Sequence, residues 1–125
     1  MTDQICVAID GMGGDNAPEM IIGGIDLAAQ TQKNVRFLIF GDENKINPIL
    51  EEFPEIQDSC EIRHTTEAVS NDDKPTKALR TAKNSSMRLA IDAVANKEAS
   101  AIISAGNTGA LMAMATIVLK TLPGI

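Results

Sequence analysis

Tryptophan and tyrosine are absent from this sequence, and phenylalanine occurs only at Phe37, Phe40 and Phe53. Aromatic platforms for stacking bases are therefore lacking, and the core has to be aliphatic. Positive charge is scarce as well: 11 Lys and Arg against 17 Asp and Glu leave a net charge of −6. That balance lacks the basic footprint of a duplex nucleic-acid binder, so no nucleic-acid partner is expected. Cysteine appears twice, Cys6 inside an apolar run and Cys60 beside a turn, with no C-x-x-C pair. No apolar signal segment is seen at the start, and a reducing cytoplasmic setting is expected. The longest apolar stretch, Ala110 to Leu119, contains Thr116 and is too short for a bilayer, so it reads as a buried helix.

What remains is a chain of 125 residues, 44% hydrophobic, enough for one domain or part of one. Four short apolar runs, Ile5 to Ile9, Val35 to Phe40, Cys60 to His64 and Ala101 to Ser104, alternate with helix-like segments. This spacing predicts βαβ units and a mostly parallel sheet. The first helix is expected near Pro18, burying Met20, Ile21, Ile25, Leu27 and Ala28, with Gly23-Gly24 weakening it. A second is expected over Asn44 to Phe53, stopped by Pro54. Asn71-Asp72-Asp73 reads as a turn, and Thr76 to Lys83 as one or two helical turns after Lys74-Pro75. Ser85 or Ser86 caps a helix with the stripe Met87, Leu89, Ala90, Ile91 and Val94 that ends near Asn96. A last helix, Ala110 to Lys120, is expected to end at Pro123-Gly124.

Two strand-to-helix junctions share one grammar, Asp10 to Pro18 and Ser104 to Gly109. In a parallel sheet both fall at the carboxyl edge and can face one cleft. Glycines there let main-chain N–H groups approach a ligand, and the following helix start favours an anion. Ser104, Asn107 and Thr108 add neutral donors. Gly11-Met12-Gly13-Gly14-Asp15-Asn16 is not a dinucleotide fingerprint, because Asn16 stands where G-x-G-x-x-G needs its last glycine, and there is no P-loop. The plain alternative is that Gly13 and Gly14 only make a tight turn.

Asp10, Asp15 and Asp42 could hold a metal or act as acid and base, but a strand-end carboxylate more commonly accepts backbone N–H bonds or caps a helix. Lys74, Lys77, Arg80, Lys83 and Arg88 concentrate positive charge that could meet a phosphate or an acidic carrier protein, or be a solvated face. His64, the one histidine, has no partner evident from spacing, and Cys6 reads as core.

Five stretches in order, Asp10 to Pro18, Val35 to Asp42 ending in Phe40-Gly41-Asp42, Asp72 to Pro75, Lys83 to Met87 and Ser104 to Met112, resemble the PlsX family of bacterial phosphate acyltransferases. The resemblance covers nearly the whole chain. Family members are much longer, so residues 1–125 resemble an amino-terminal part of one domain, without an internal boundary. The implied fold is a three-layer α/β/α sandwich related to phosphotransacetylases and to isocitrate and isopropylmalate dehydrogenases, here incomplete.

The implied reaction moves a long-chain acyl group from acyl carrier protein to inorganic phosphate. The acyl phosphate then goes to a downstream glycerol-3-phosphate acyltransferase of phospholipid synthesis. The resemblance implies no cofactor, a homodimer, and contact with the inner membrane face only through segments outside this chain. On a direct attack of phosphate on the thioester, Gly106, Asn107, Thr108 and Gly109 hold phosphate or oxyanion beside Ser104, with Asn107 and Lys83 the catalytic candidates. Gly13, Gly14 and Asn16 form the opposing wall, and Lys74 or Lys83 supplies positive charge. The other readings are a phosphotransacetylase-like enzyme using acyl-CoA, and a non-catalytic ligand-binding fragment.

Overall fold

The computed structural model describes residues 4–119. Within them, four strands, β1 (Ile5–Asp10), β2 (Val35–Gly41), β3 (Cys60–His64) and β4 (Ala101–Ile103), form one sheet in the order β3-β2-β1-β4. Every pairing is parallel, with Ile9 opposite Ile39 on one side and Ile103 on the other. Helices α1 (Glu19–Thr31), α2 (Glu43–Leu50), α3 (Pro75–Thr81), α4 (Ser86–Ala95) and α5 (Thr108–Leu119) fill the crossovers, with a 3₁₀ turn at Pro54–Ser59. The expected α/β class and its parallel sheet are thus observed.

Alternation along the strands sorts the core into two layers. Ile9, Phe37 and Ile39 pack with Ile22 and Ile25 of α1 and Ile46 and Leu50 of α2. Ala8, Leu38 and Phe40 point to the other face and meet Ala90 and Ala93 of α4. Both faces of the sheet are covered along β1 and β2, which is why these two strands read as continuous apolar runs, whereas the outer strands β3 and β4 keep Glu61, Arg63 and Ile103 partly or largely exposed. Fully burying an isoleucine such as Ile22, Ile39 or Ile46 contributes about 1.5–3 kcal/mol each. A third cluster joins α3, α4 and α5 through Ala78, Met87, Ile91, Ala110 and Met114.

Three expectations need correction. In α1 the buried residues are Ile22 and Ile25, whereas Met20 and Leu27 are 66% and 67% exposed and Ala28 is also exposed. The helix is rotated relative to the expected stripe: Ile22, Ile25 and Ala29 face the sheet, and Met20 and Leu27 lie on the outer side. Helix α2 stops at Leu50 rather than Phe53, because a tight turn from Leu50 O to Phe53 N swings Phe53 back against the core. Finally, α5 is not a buried helix within the described residues: Ala110 and Met114 are buried, but Met112 and Ile117 are each 61% exposed. Its expected end at Pro123-Gly124 lies outside the described residues.

The other helix starts follow from local chemistry. Ser85 Oγ accepts from Arg88 N at 3.2 Å to cap α4, and Asp42 Oδ1 accepts from Asn44 N at 3.0 Å to cap α2. Pro75 sits in the first turn of α3, where its missing N–H costs nothing.

Gly23, inside α1, has open space around the position a Cβ would take. Gly23→Ala should therefore raise stability by about 0.5–1 kcal/mol through the lower entropy of the unfolded chain. Urea unfolding followed by circular dichroism checks this; a lower midpoint would mean that the helix is not formed as described.

Candidate functional site

The two glycine junctions meet over Asp10, the last residue of β1. Its side chain is 2% exposed and faces the α4 side of the sheet. Ser86 Oγ, at the first turn of α4, donates to Asp10 Oδ1 at 2.5 Å, and Ser104 Oγ, just past β4, donates to Oδ2 at 2.8 Å. Met12 N donates to Oδ1 at 3.2 Å. Ser104 Oγ in turn accepts from Gly106 N at 3.1 Å. One carboxylate thus ties the end of β1, the start of α4 and the turn after β4 into a single unit. Asp10 accepts hydrogen bonds from three elements, as a strand-end carboxylate commonly does.

Gly13 closes the contact between the junctions. A Cβ there would lie 2.6 Å from Asp10 Oδ2, 2.9 Å from Gly106 N and 3.0 Å from Ser104 Oγ. Only glycine permits this approach. Gly14 has φ +99°, a conformation that L side chains rarely adopt.

A cleft of about 310 Å³ opens beside the contact, lined chiefly by Gly13, Gly14, Asp15, Asn16, Met20 and Ala105. Among the described residues, the backbone N–H groups of Gly14, Asp15 and Asn16, and of Thr108 and Gly109, have no protein acceptor. Two sets of free donors at the carboxyl edge make a concentration of positive dipole suited to an anion.

A loop between β3 and α3 straps the two junctions together. Asn107 Nδ2 donates to Ser70 O at 3.0 Å and to Asp73 O at 2.8 Å, while its Oδ1 accepts from Ala110 N at 3.1 Å and caps α5. Asn71 Nδ2 reaches across to Asp15 Oδ1 at 2.9 Å. Pro75 packs on Gly109, where a Cβ would meet Pro75 Cγ at 2.7 Å.

The structure therefore brings together Gly13, Gly14, Asn16, Ser104 and Gly106, with Asn107, Thr108 and Gly109 continuing into α5. The Asn107 side chain is occupied by framework bonds. Lys74 follows the strap directly, and Lys83 lies in the turn before Ser85; both are exposed, and neither lines the glycine cleft. Sequence reading missed Ser86 as the partner of Asp10 and Asn71 as the bridge to Asp15. The doublet Ser85-Ser86 carried a signal: one hydroxyl caps the helix, leaving the second for another partner.

The remaining candidates have other roles. His64 Nδ1 accepts from Glu43 N at 3.1 Å, adding a second acceptor at the start of α2. Burial pushes the Cys60 thiol up to about 11 and raises that of Cys6, whose largest influence is also desolvation. Both shifts run against thiolate formation.

Comparison with known proteins places this geometry in context. A family model described as "Fatty acid synthesis protein" matches residues 5–125. The chain is 55% identical over 125 residues to a protein of Rhodospirillum centenum named "Phosphate acyltransferase", covering 100% of this chain and 35% of that protein. A protein of the same name from Parvibaculum lavamentivorans is 54% identical over 126 residues, with 100% and 35% covered. One from Rhodospirillum rubrum is 48% identical over 125 residues, with 100% and 36% covered. The chain spans about a third of the length of these curated relatives.

Proposed function

This chain belongs to the fatty acid synthesis protein family, and from that premise we propose that it forms the amino-terminal part of a phosphate acyltransferase. A long-chain acyl group passes from acyl carrier protein to inorganic phosphate. The products are acyl phosphate, which a glycerol-3-phosphate acyltransferase consumes, and the free carrier thiol. The observation that carries the reading is the apposition of Gly13 and Gly106 beside a cleft lined by Gly14, Asp15 and Asn16, whose backbone N–H groups have no protein acceptor among the described residues.

Phosphate already has a nucleophilic oxygen, so no serine or cysteine is required. The oxygen attacks the thioester carbonyl, the C–O bond forms, the C–S bond breaks, and the thiolate leaves and takes a proton from solvent. Backbone N–H groups of Gly14, Asp15 and Asn16 hold phosphate, with those of Thr108 and Gly109 facing the developing oxyanion. Ser104 and Gly106 shape this wall through Asp10, and Lys74 and Lys83 add positive potential from outside the cleft. Asn107 acts by fixing the start of α5 and the strap. The fold we propose for the whole domain is a three-layer sandwich of the isocitrate and isopropylmalate dehydrogenase kind, its further strands added beyond β4.

Phosphate-dependent thiol release, measured with acyl groups on carrier protein and on coenzyme A, tests the reading. Faster release from the carrier thioester supports it, and preference for coenzyme A favours a phosphotransacetylase-like enzyme. No phosphate dependence on either carrier contradicts both. In the same assay Asn107→Asp keeps the cap acceptor but loses both strap donors. It should lower the rate about tenfold or more through misplacement of the donors; Asn107→Ala should in addition lose about 1 kcal/mol of stability with the cap. An unchanged rate in Asn107→Asp would remove the strap from the mechanism.

A further inference from the structure

We propose that the exposed face of α3 and its two flanks, carrying Lys74, Lys77, Arg80 and Lys83, is the docking surface for an acidic protein. On the acyl-transfer reading, from which the partner's identity is taken, that protein is the carrier that delivers the thioester. From residue 74 to residue 91 the sequence has five cations and no acid, in a chain of net charge −6. Such a chain repels an acidic partner overall, so association needs a local cationic face that can steer it.

The fold makes that face. Helix α3 buries Ala78 and packs Leu79 and Ala82 into the third core cluster, which leaves Lys77, Arg80 and Thr81 on the outer side. Lys74 at its start and Lys83 beyond its end are exposed too. Ion pairs among the described residues use Arg36, Arg63 and Arg88, and none of these four cations. Asp72 and Asp73 border the patch at its beginning; the Asp73 carboxylate is engaged by Ser70 N at 2.9 Å.

Placement ties the patch to the chemistry. Pro75, the first residue of α3, rests on Gly109, and Asn107 holds the carbonyl of Asp73. A partner seated on α3 therefore lies next to the start of α5. A phosphate-binding role fits less well, because these side chains stand on a convex helix and do not line the cleft. A lipid surface also fits less well. Among the described residues no exposed large apolar side chain lies on α3 itself; Met112 and Ile117 are exposed on α5, which packs on it, and titration with vesicles separates a lipid surface from a protein partner.

The test is titration of fluorescently labelled holo acyl carrier protein with this chain, read by anisotropy, for the native chain, Lys77→Glu/Arg80→Glu and Lys77→Arg/Arg80→Lys. Parallel titrations use inorganic phosphate and phosphatidylglycerol vesicles. The expected result is binding that weakens as ionic strength rises from about 0.05 to about 0.3 M. The charge reversal should weaken it about tenfold or more, and the charge-conserving pair should leave it unchanged. Circular dichroism should be native-like throughout, since both side chains are exposed.

Equal affinity of the reversed variant, no binding by the native chain, or a loss confined to vesicles or phosphate would each overturn the proposal. Thiol release separates this from the reading beneath it. Phosphate-dependent turnover without patch-dependent carrier binding removes only the docking surface; patch-dependent binding without turnover removes only the acyl-transfer reading.

Discussion

Asp10→Ala should destabilise the chain by about 3 kcal/mol or more, measured as the fall in unfolding free energy in urea. The substitution removes the acceptor of Ser86 Oγ, Ser104 Oγ and Met12 N together. Ser86 is 1% exposed, so its hydroxyl has no water to turn to. Each buried donor left without an acceptor costs about 1–3 kcal/mol. Asp10→Asn keeps the shape and one acceptor oxygen, and its amide can donate to a serine lone pair, so a loss of about 1–2 kcal/mol is expected. A loss under about 1 kcal/mol for Asp10→Ala would show that the three elements are not held through this carboxylate.

Gly13→Ala has the second largest expected effect, about 2–3 kcal/mol of stability together with loss of phosphate binding. Overpacking a tight site costs about 1–3 kcal/mol, and this site falls at the upper end because the atoms in the way are rigid. One is the backbone nitrogen of Gly106 and another is the carboxylate oxygen of Asp10. Relief requires the two junctions to separate, which dismantles the cleft. The contrast with Gly23→Ala, which meets nothing and should stabilise, isolates the close approach from the general effect of replacing glycine. Equal behaviour of the two variants would contradict the apposition of the turns.

Much of this was legible in the sequence. The runs of β1 and β2 are apolar because both sheet faces are covered there, so their positions read directly from the pattern. Cys60–His64 begins and ends where the run does, and Ile5–Asp10 extends it by one residue. The pairing of the two glycine junctions also followed, since parallel strands put both turns at one edge. Less legible was the phase of α1, whose residues Met20, Ile21, Ile22, Ile25 and Leu27 are apolar on several sides; periodicity alone could not select the face. Contacts of long sequence separation were harder still. Ser86 and Asp10 are 76 positions apart, and Asn71 and Asp15 are 56 apart. No local rule links them until the topology places α4 and the strap over the end of β1. For Asn107 the residue type was informative but its use was not: the amide holds a cap and a strap as well as neighbouring the cleft.

The central claim is that the two junctions form one anion cradle. Titration of the ¹⁵N-labelled chain with inorganic phosphate, followed by amide chemical shifts, tests it most directly. Saturable shifts of Gly14, Asp15, Asn16, Thr108 and Gly109, lost in Gly13→Ala, are predicted. Shifts confined to Lys74, Lys77, Arg80 and Lys83, or no saturable shifts at either junction, would contradict it.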